Sequence, residues 1–246
     1  MGLLNITEAE VAFLADLDGF VDELSAHSST IEVENTDPRC VSLMLHKRLT
    51  SNYRGFMMLW EEGRSLEAAI LLRCAIECTI CIAANHAVQE DFYPLLLGDL
   101  VATMKNQIKL WRDDNFEQLV KNGEARLRAL APRAPDKPHA FDWQELAAIG
   151  GQLPLYGYHK SLSIAAAHVT AISIMRGVVG ADGAAVDLQD DWRDIERPKL
   201  ARQMMIAMVV GLRLHAEVIG SDKFAAAGKA FDERLNEISK DWVGDD

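Results

Sequence analysis

Positive charge is scarce in this chain. Its 25 lysines and arginines stand against 37 aspartates and glutamates, for a formal net charge of −12. A general binder of DNA or of an anionic membrane carries a basic footprint. Both classes are therefore set aside, although an enzyme acting on RNA through a local basic cleft is not. Strand patterning is missing as well: no segment alternates apolar and polar residues as a half-buried strand does, and no repeat recurs along the chain. Met1–Asn5 lacks the basic and apolar regions of a secretory leader, and Ile6 stands where a myristoylation signal needs Ser or Thr. The longest apolar window, Ala68–Ala84, is marginal for a membrane span and carries Arg73 and Glu77 inside it, which argues against insertion. Four cysteines, three of them in that window, suit reduced thiols better than a disulfide framework. These absences describe a cytoplasmic protein with no membrane partner.

What is present is helical periodicity. Thr7 and Glu10 form a capping box, and Val11, Leu14, Leu17, Val21 and Leu24 follow at helical spacing, predicting a helix from Glu8 to Leu24. Asp37 and Pro38 open a second helix that Gly63 ends. Ser65 is expected to cap a central helix over 65–88, whose window AAILLRCAIECTICIAA is apolar on every side and so belongs inside. Asp91 and Pro94 start a fourth helix, and Asp114 a fifth, more charged one reaching Leu130. Three prolines between Ala131 and Ala140 predict a rigid or linking segment at 131–141. Asp142 and Glu145 then cap a short helix that Gly150 and Gly151 break. A helix from Tyr158 to Met175, a long one from Asp191 to Ile219 and a last one capped by Ser221 complete the chain. The expectation is all-α: one bundle-like domain spanning 1–246, with about eight or nine helices around the central one.

Several tempting motifs dissolve on inspection. Cys74, Cys78 and Cys81 match a cluster-binding spacing, but they sit on an unbroken helix with no loop to wrap three thiolates around one cluster, so they read as small core residues. No histidine has a glutamate three residues before it, which removes the diiron bundles. Zinc ligation by the cysteines and His86 is opposed by their separation along the helix axis. Asp190, Asp191, Asp194 and Glu196 complement a helix N-terminus rather than defining a cation site. No metal and no cofactor is expected. Arg39 and His46 lie on one helix and match the loose arginine-to-histidine signature of HEPN ribonucleases, a pattern that any helical chain produces easily.

Arg73 and Glu77 are different, because charges inside an apolar helix are costly unless paired. Arginine four residues before glutamate is the weaker order for an intrahelical pair, so partners are sought on another helix. Tyr158, His159, Ser161, Ser163 and His168 supply the best set.

Arg73-x-x-x-Glu77 in an apolar helix, followed about ninety residues later by Tyr158, Leu162-Ser163 and His168, resembles a bacterial family of all-helical proteins of unknown function. There an Arg-x-x-x-Glu helix precedes a Tyr-x-x-Leu-Ser-x-x-x-His helix, and the set is distantly similar to HEPN-like proteins associated with abortive infection. Here Tyr158 and His168 each stand one residue further from Leu162-Ser163 than in that pattern, which leaves Ser161 as a rival to Ser163. The resemblance implies a fold and a set of candidate polar residues, not an activity: Arg73, Glu77 and His168 stand as candidate catalytic groups and Tyr158, Ser161 and Ser163 as candidate ligand-binding ones, with Arg39 and His46, read from their own spacing, as the rival HEPN-like pair. Two functions remain open. One is an interaction, regulatory or small-ligand-binding module, built on a buried polar network and joined by a protein partner or a second copy. The other is an RNA- or nucleotide-directed hydrolase used in phage defence.

Overall fold

The computed structural model describes residues 6–167 and 192–242. Within them the chain forms helices joined by turns, and among the described residues there is no strand. The protein is all-α.

The first helix, α1 (Glu8–Ser28), begins at the expected box. The Thr7 N–H donates to Glu10 Oε2 at 2.6 Å, and the Glu10 N–H donates to Thr7 Oγ1 at 3.2 Å. α2 (Pro38–Glu61) is capped by Asp37, whose side chain accepts from the Arg39 N–H. α3 (Ser65–Val88) has no side-chain cap; Ser65 is its buried first residue, with Arg64 at the cap position. The expected Ser65 cap is thus corrected: its hydroxyl lies inside the first turn and reaches no free N–H. α3 is buried over most of its length, because α2, the later helix α8 (Trp192–Val218) and several shorter elements pack on it, but its first turns leave Leu66 and Ile70 exposed, so the expectation of burial on every side holds only beyond them.

α3 and α8 pack closely. Thr79 Oγ1 donates to the Ala207 carbonyl at 2.9 Å. A Cβ on Gly211 would sit 2.6 Å from Leu49 and 2.8 Å from the Thr79 hydroxyl, so glycine is what lets α8 come this near. α8 is anchored at its other end by Trp60, whose indole N–H donates to the Arg197 carbonyl at 2.9 Å while Arg197 Nε donates back to the Trp60 carbonyl at 3.0 Å.

α4 (Phe92–Asp113) sends Phe92 into the main core, buries Leu97 and Val101 outside it, and packs along α5 (Glu117–Leu130) through Ile108 and Gly123. The proline segment returns along α4: Pro135 lies against Gly98, and the Phe141 N–H donates to Asp99 Oδ1 at 2.8 Å. α6 (Trp143–Ile149) starts at Asp142, which accepts from the N–H groups of Gln144 and Glu145.

α7 runs over Leu153–Leu162, five residues earlier than its periodicity suggests, because Pro154 falls in the first turn where its missing N–H is harmless. A π-helical turn, Ser163–Ala167, follows. The final helix, α9 (Asp222–Ile238), closes the bundle against α1, with Phe231 edge-on to Phe13 at 5.5 Å and stacked on Phe20 at 5.0 Å. No described helix is long and apolar enough to cross a membrane.

Candidate functional site

α3 and α7 meet over a row of polar side chains. Arg73 and Glu77, four apart on α3, pair directly, Nη2 to Oε1 at 2.8 Å. Each also has a partner across the helix interface. Arg73 Nε donates to Ser163 Oγ at 2.9 Å, and Glu77 Oε1 lies 3.0 Å from His159 Nε2. The Ser163 hydroxyl in turn donates to the His159 carbonyl at 2.8 Å, which pins the turn after α7 to the helix that bears the histidine. Arg73 and Glu77 are mostly buried and His159 is only 6% exposed. A buried charge pair is stabilising only when hydrogen bonds complete its geometry, and here each charged group has one such bond from α7 or the turn after it.

The network backs onto a cleft of about 290 Å³. One wall is α3, through Glu77 and the three cysteines. Arg48 of α2 and Asp99 of α4 face it, and Phe141 and Trp143 close the side. Trp143 is braced edge-on by Phe141 at 5.9 Å and lies 5.4 Å from the His159 ring. Burial pushes all three thiols up, with Glu77 adding in the same direction; Cys78 rises to about 12. They line the cleft as neutral groups and not as nucleophiles. Among the described residues no group of three or more metal-ligating side chains gathers here or elsewhere.

The structure thus brings Arg73, Glu77 and Ser163 together and adds His159, which the sequence offered as a partner but did not place in the site. The available signal was spacing: His159 and Ser163 are four apart, so they share a helix face. Ser161 points to solvent and Tyr158 is half-buried against the core. His168 lies outside the described residues, as do Asp190 and Asp191. Arg48, Asp99, Phe141 and Trp143 carried no sequence signal, since four separate elements deliver them.

The two members of the rival pair meet different surroundings. Arg39 is exposed and engages Asp37, its Nη2 2.6 Å from Oδ2. His46 is 3% exposed and turns inward to stack on His215 of α8, with ring centroids 4.2 Å apart and planes 4° from parallel. Serine hydroxyls hold both rings: Ser25 lies 3.2 Å from His46 Nε2, while Ser28 and Ser42 lie 2.9 and 2.8 Å from the two nitrogens of His215. Burial, and then the Arg54 charge, lowers His46 to about 4; burial, and then the neighbouring His46, lowers His215 to about 2. Both rings are neutral at pH 7.

The profile of a family of unknown function, DUF5677, matches residues 39–185, more than half of the chain. The chain belongs to DUF5677. No curated protein and no solved structure matches it. The DUF5677 segment contains the whole Glu77 cleft and its network, from Arg48 on α2 to Ser163 after α7. It excludes α1, α8 and α9, and with them His215. The cleft is therefore a property of the matched segment, whereas the stacked histidine pair joins that segment to a helix beyond it.

Proposed function

We propose that the chain is a small-ligand-binding module whose ligand occupies the Glu77 cleft. One observation carries this reading. Glu77 Oε1 is engaged by Arg73 and His159, while Oε2 has no protein partner among the described residues, in a cleft walled by two aromatic rings. A carboxylate held rigid on one side and unengaged on the other, among apolar walls, is how small-molecule sites fix orientation. The cytoplasmic, regulatory role expected from the sequence fits a module of this kind.

The alternative, an RNA- or nucleotide-directed hydrolase of HEPN-like type acting in phage defence, draws on the distant resemblance and on the arginines and histidines available. Arg39 of its rival pair is engaged by Asp37 and His46 by His215, and Arg73, its phosphate-facing cation, is occupied by Glu77 and Ser163. The deciding experiment is a thermal-shift screen of nucleotides and metabolites on the wild type and on Glu77→Gln. A compound that raises the wild-type Tm and loses its effect in the variant supports the module. Cleavage of labelled RNA by the wild type, lost in Arg73→Ala, would replace it with the hydrolase.

A further inference from the structure

The cleft also carries a charge pattern that specifies a ligand class, an inference resting on the ligand-binding reading above. We propose that the Glu77 cleft takes a small aromatic zwitterion, its amine held between Glu77 and Asp99, its acid group at Arg48 and its ring against Trp143. The carboxylates come from two helices. Asp99 has one oxygen fixed by the Phe141 N–H at 2.8 Å and the other without a protein partner among the described residues. Glu77 repeats the arrangement, one oxygen fixed and one unengaged. Two unengaged carboxylate oxygens on one small cleft are donor-seeking, and an ammonium supplies donors in several directions.

Arg48 sets the opposite pole. It lines the same cleft from α2, is exposed, and takes part in no ion pair or hydrogen bond among the described residues. Its guanidinium presents a fork suited to a carboxylate. The charge count then decides the ligand. Glu77 is answered by Arg73, which leaves Asp99 and Arg48 as one unanswered anion and one unanswered cation. A ligand with only an amine leaves Arg48 unmet, one with only an acid leaves Asp99 unmet, and a zwitterion meets both. Phosphate-bearing ligands would place multiple negative charges beside two carboxylates. The neutral thiols add soft apolar lining without charge. Trp143, held between Phe141 and His159, offers a fixed ring face. At about 290 Å³ the cleft accommodates one ring and a short chain, at the small end of ligand sites.

Three compounds with one ring and different charges test the class: tryptophan, tryptamine and indole-3-acetate. Binding is followed on the full-length protein by the Trp143 indole N–H signal in 15N-correlated spectra, assigned by its loss in Trp143→Phe. Tryptophan is expected to shift that signal and to bind at least about tenfold more tightly than either single-charge analogue. Asp99→Asn should erase its advantage over indole-3-acetate, and Arg48→Gln its advantage over tryptamine. Equal binding of all three, or tighter binding of tryptamine, overturns the zwitterion. If none of the three moves Trp143 while another compound from the thermal-shift screen does, the class is wrong and the binding reading stands. If no compound of either set moves it, both fall.

Discussion

Glu77 has two tasks, since the oxygen that holds Arg73 also meets His159. Removing its charge leaves a mostly buried guanidinium with hydrogen-bond acceptors but no countercharge. The cost of such an orphaned group is about 1–3 kcal/mol. Glu77→Gln is therefore expected to lower the urea midpoint with an unchanged m-value. A midpoint equal to wild type in Glu77→Gln would show that the pair is idle. The stacked histidines give a pH dependence. The unfolded chain takes up these protons near pH 6.5, while the folded protein resists them until about 4 at His46 and about 2 at His215. The unfolded state thus binds more protons below pH 6.5, and stability is full above that value and is lost as pH falls towards 4. Each unit of depression corresponds to about 1.4 kcal/mol. Burial alone would raise Glu10, but its hydrogen bonds from Arg202 and Thr7 outweigh this and hold it low, so its own contribution disappears in a more acid window, below the usual carboxylate value of 4.5. Urea midpoints measured between pH 7 and 4.5 should fall steadily, and His46→Leu should flatten the slope. An unchanged midpoint across that range would contradict the neutral stack.

At the scale of elements, α6 matters more than its seven residues suggest. Gly150, which caps its C-terminus, rests on α3 so closely that a Cβ would lie 2.7 Å from the Ala83 methyl and 2.8 Å from the Ala84 nitrogen. Backbone cannot yield as a side-chain tip can. Gly150→Ala should cost about 1–3 kcal/mol through overpacking and tilt α6, with Trp143 at its start, away from the cleft. Differential scanning calorimetry and the Trp143 indole signal would report the two effects separately; an unshifted Tm and signal would mean that α6 moves freely. The helix ends show how local signals are overruled. α1 continues to Ser28, past its last periodic leucine at Leu24, because Ser28 is buried against His215 and the extra turn has a tertiary partner. α9 starts after Ser221 without any side-chain cap, since its apolar face against α1 is sufficient.

Across the whole molecule, α1 and α9 form a flank outside the matched segment, joined through aromatic rings. Phe13 is fully buried there. Phe13→Ala is expected to cost about 3–5 kcal/mol, the range for losing a large core ring, measured as a drop in ΔG of unfolding at pH 7. A loss under about 1 kcal/mol would mean that this flank is not part of the cooperative unit.

The all-α class, the burial of α3 and the demand that Arg73 and Glu77 find partners could all be read from the order of residues. Helical periodicity and the cost of burying charge act within one helix, where spacing alone says which side chains share a face. Spacing put His159 and Ser163 on one face but did not say that this face, and not the one bearing Tyr158 or Ser161, would meet α3, nor did it send His46 inward to stack on His215 while Arg39 stayed in solvent. Those choices depend on how far helices rotate against one another. Here that is decided by close approaches at Gly211 and Gly150 and by rings wedged between elements distant in sequence. The cleft itself exists only where α2, α3, α4 and the start of α6 converge, so only the packed molecule defines it.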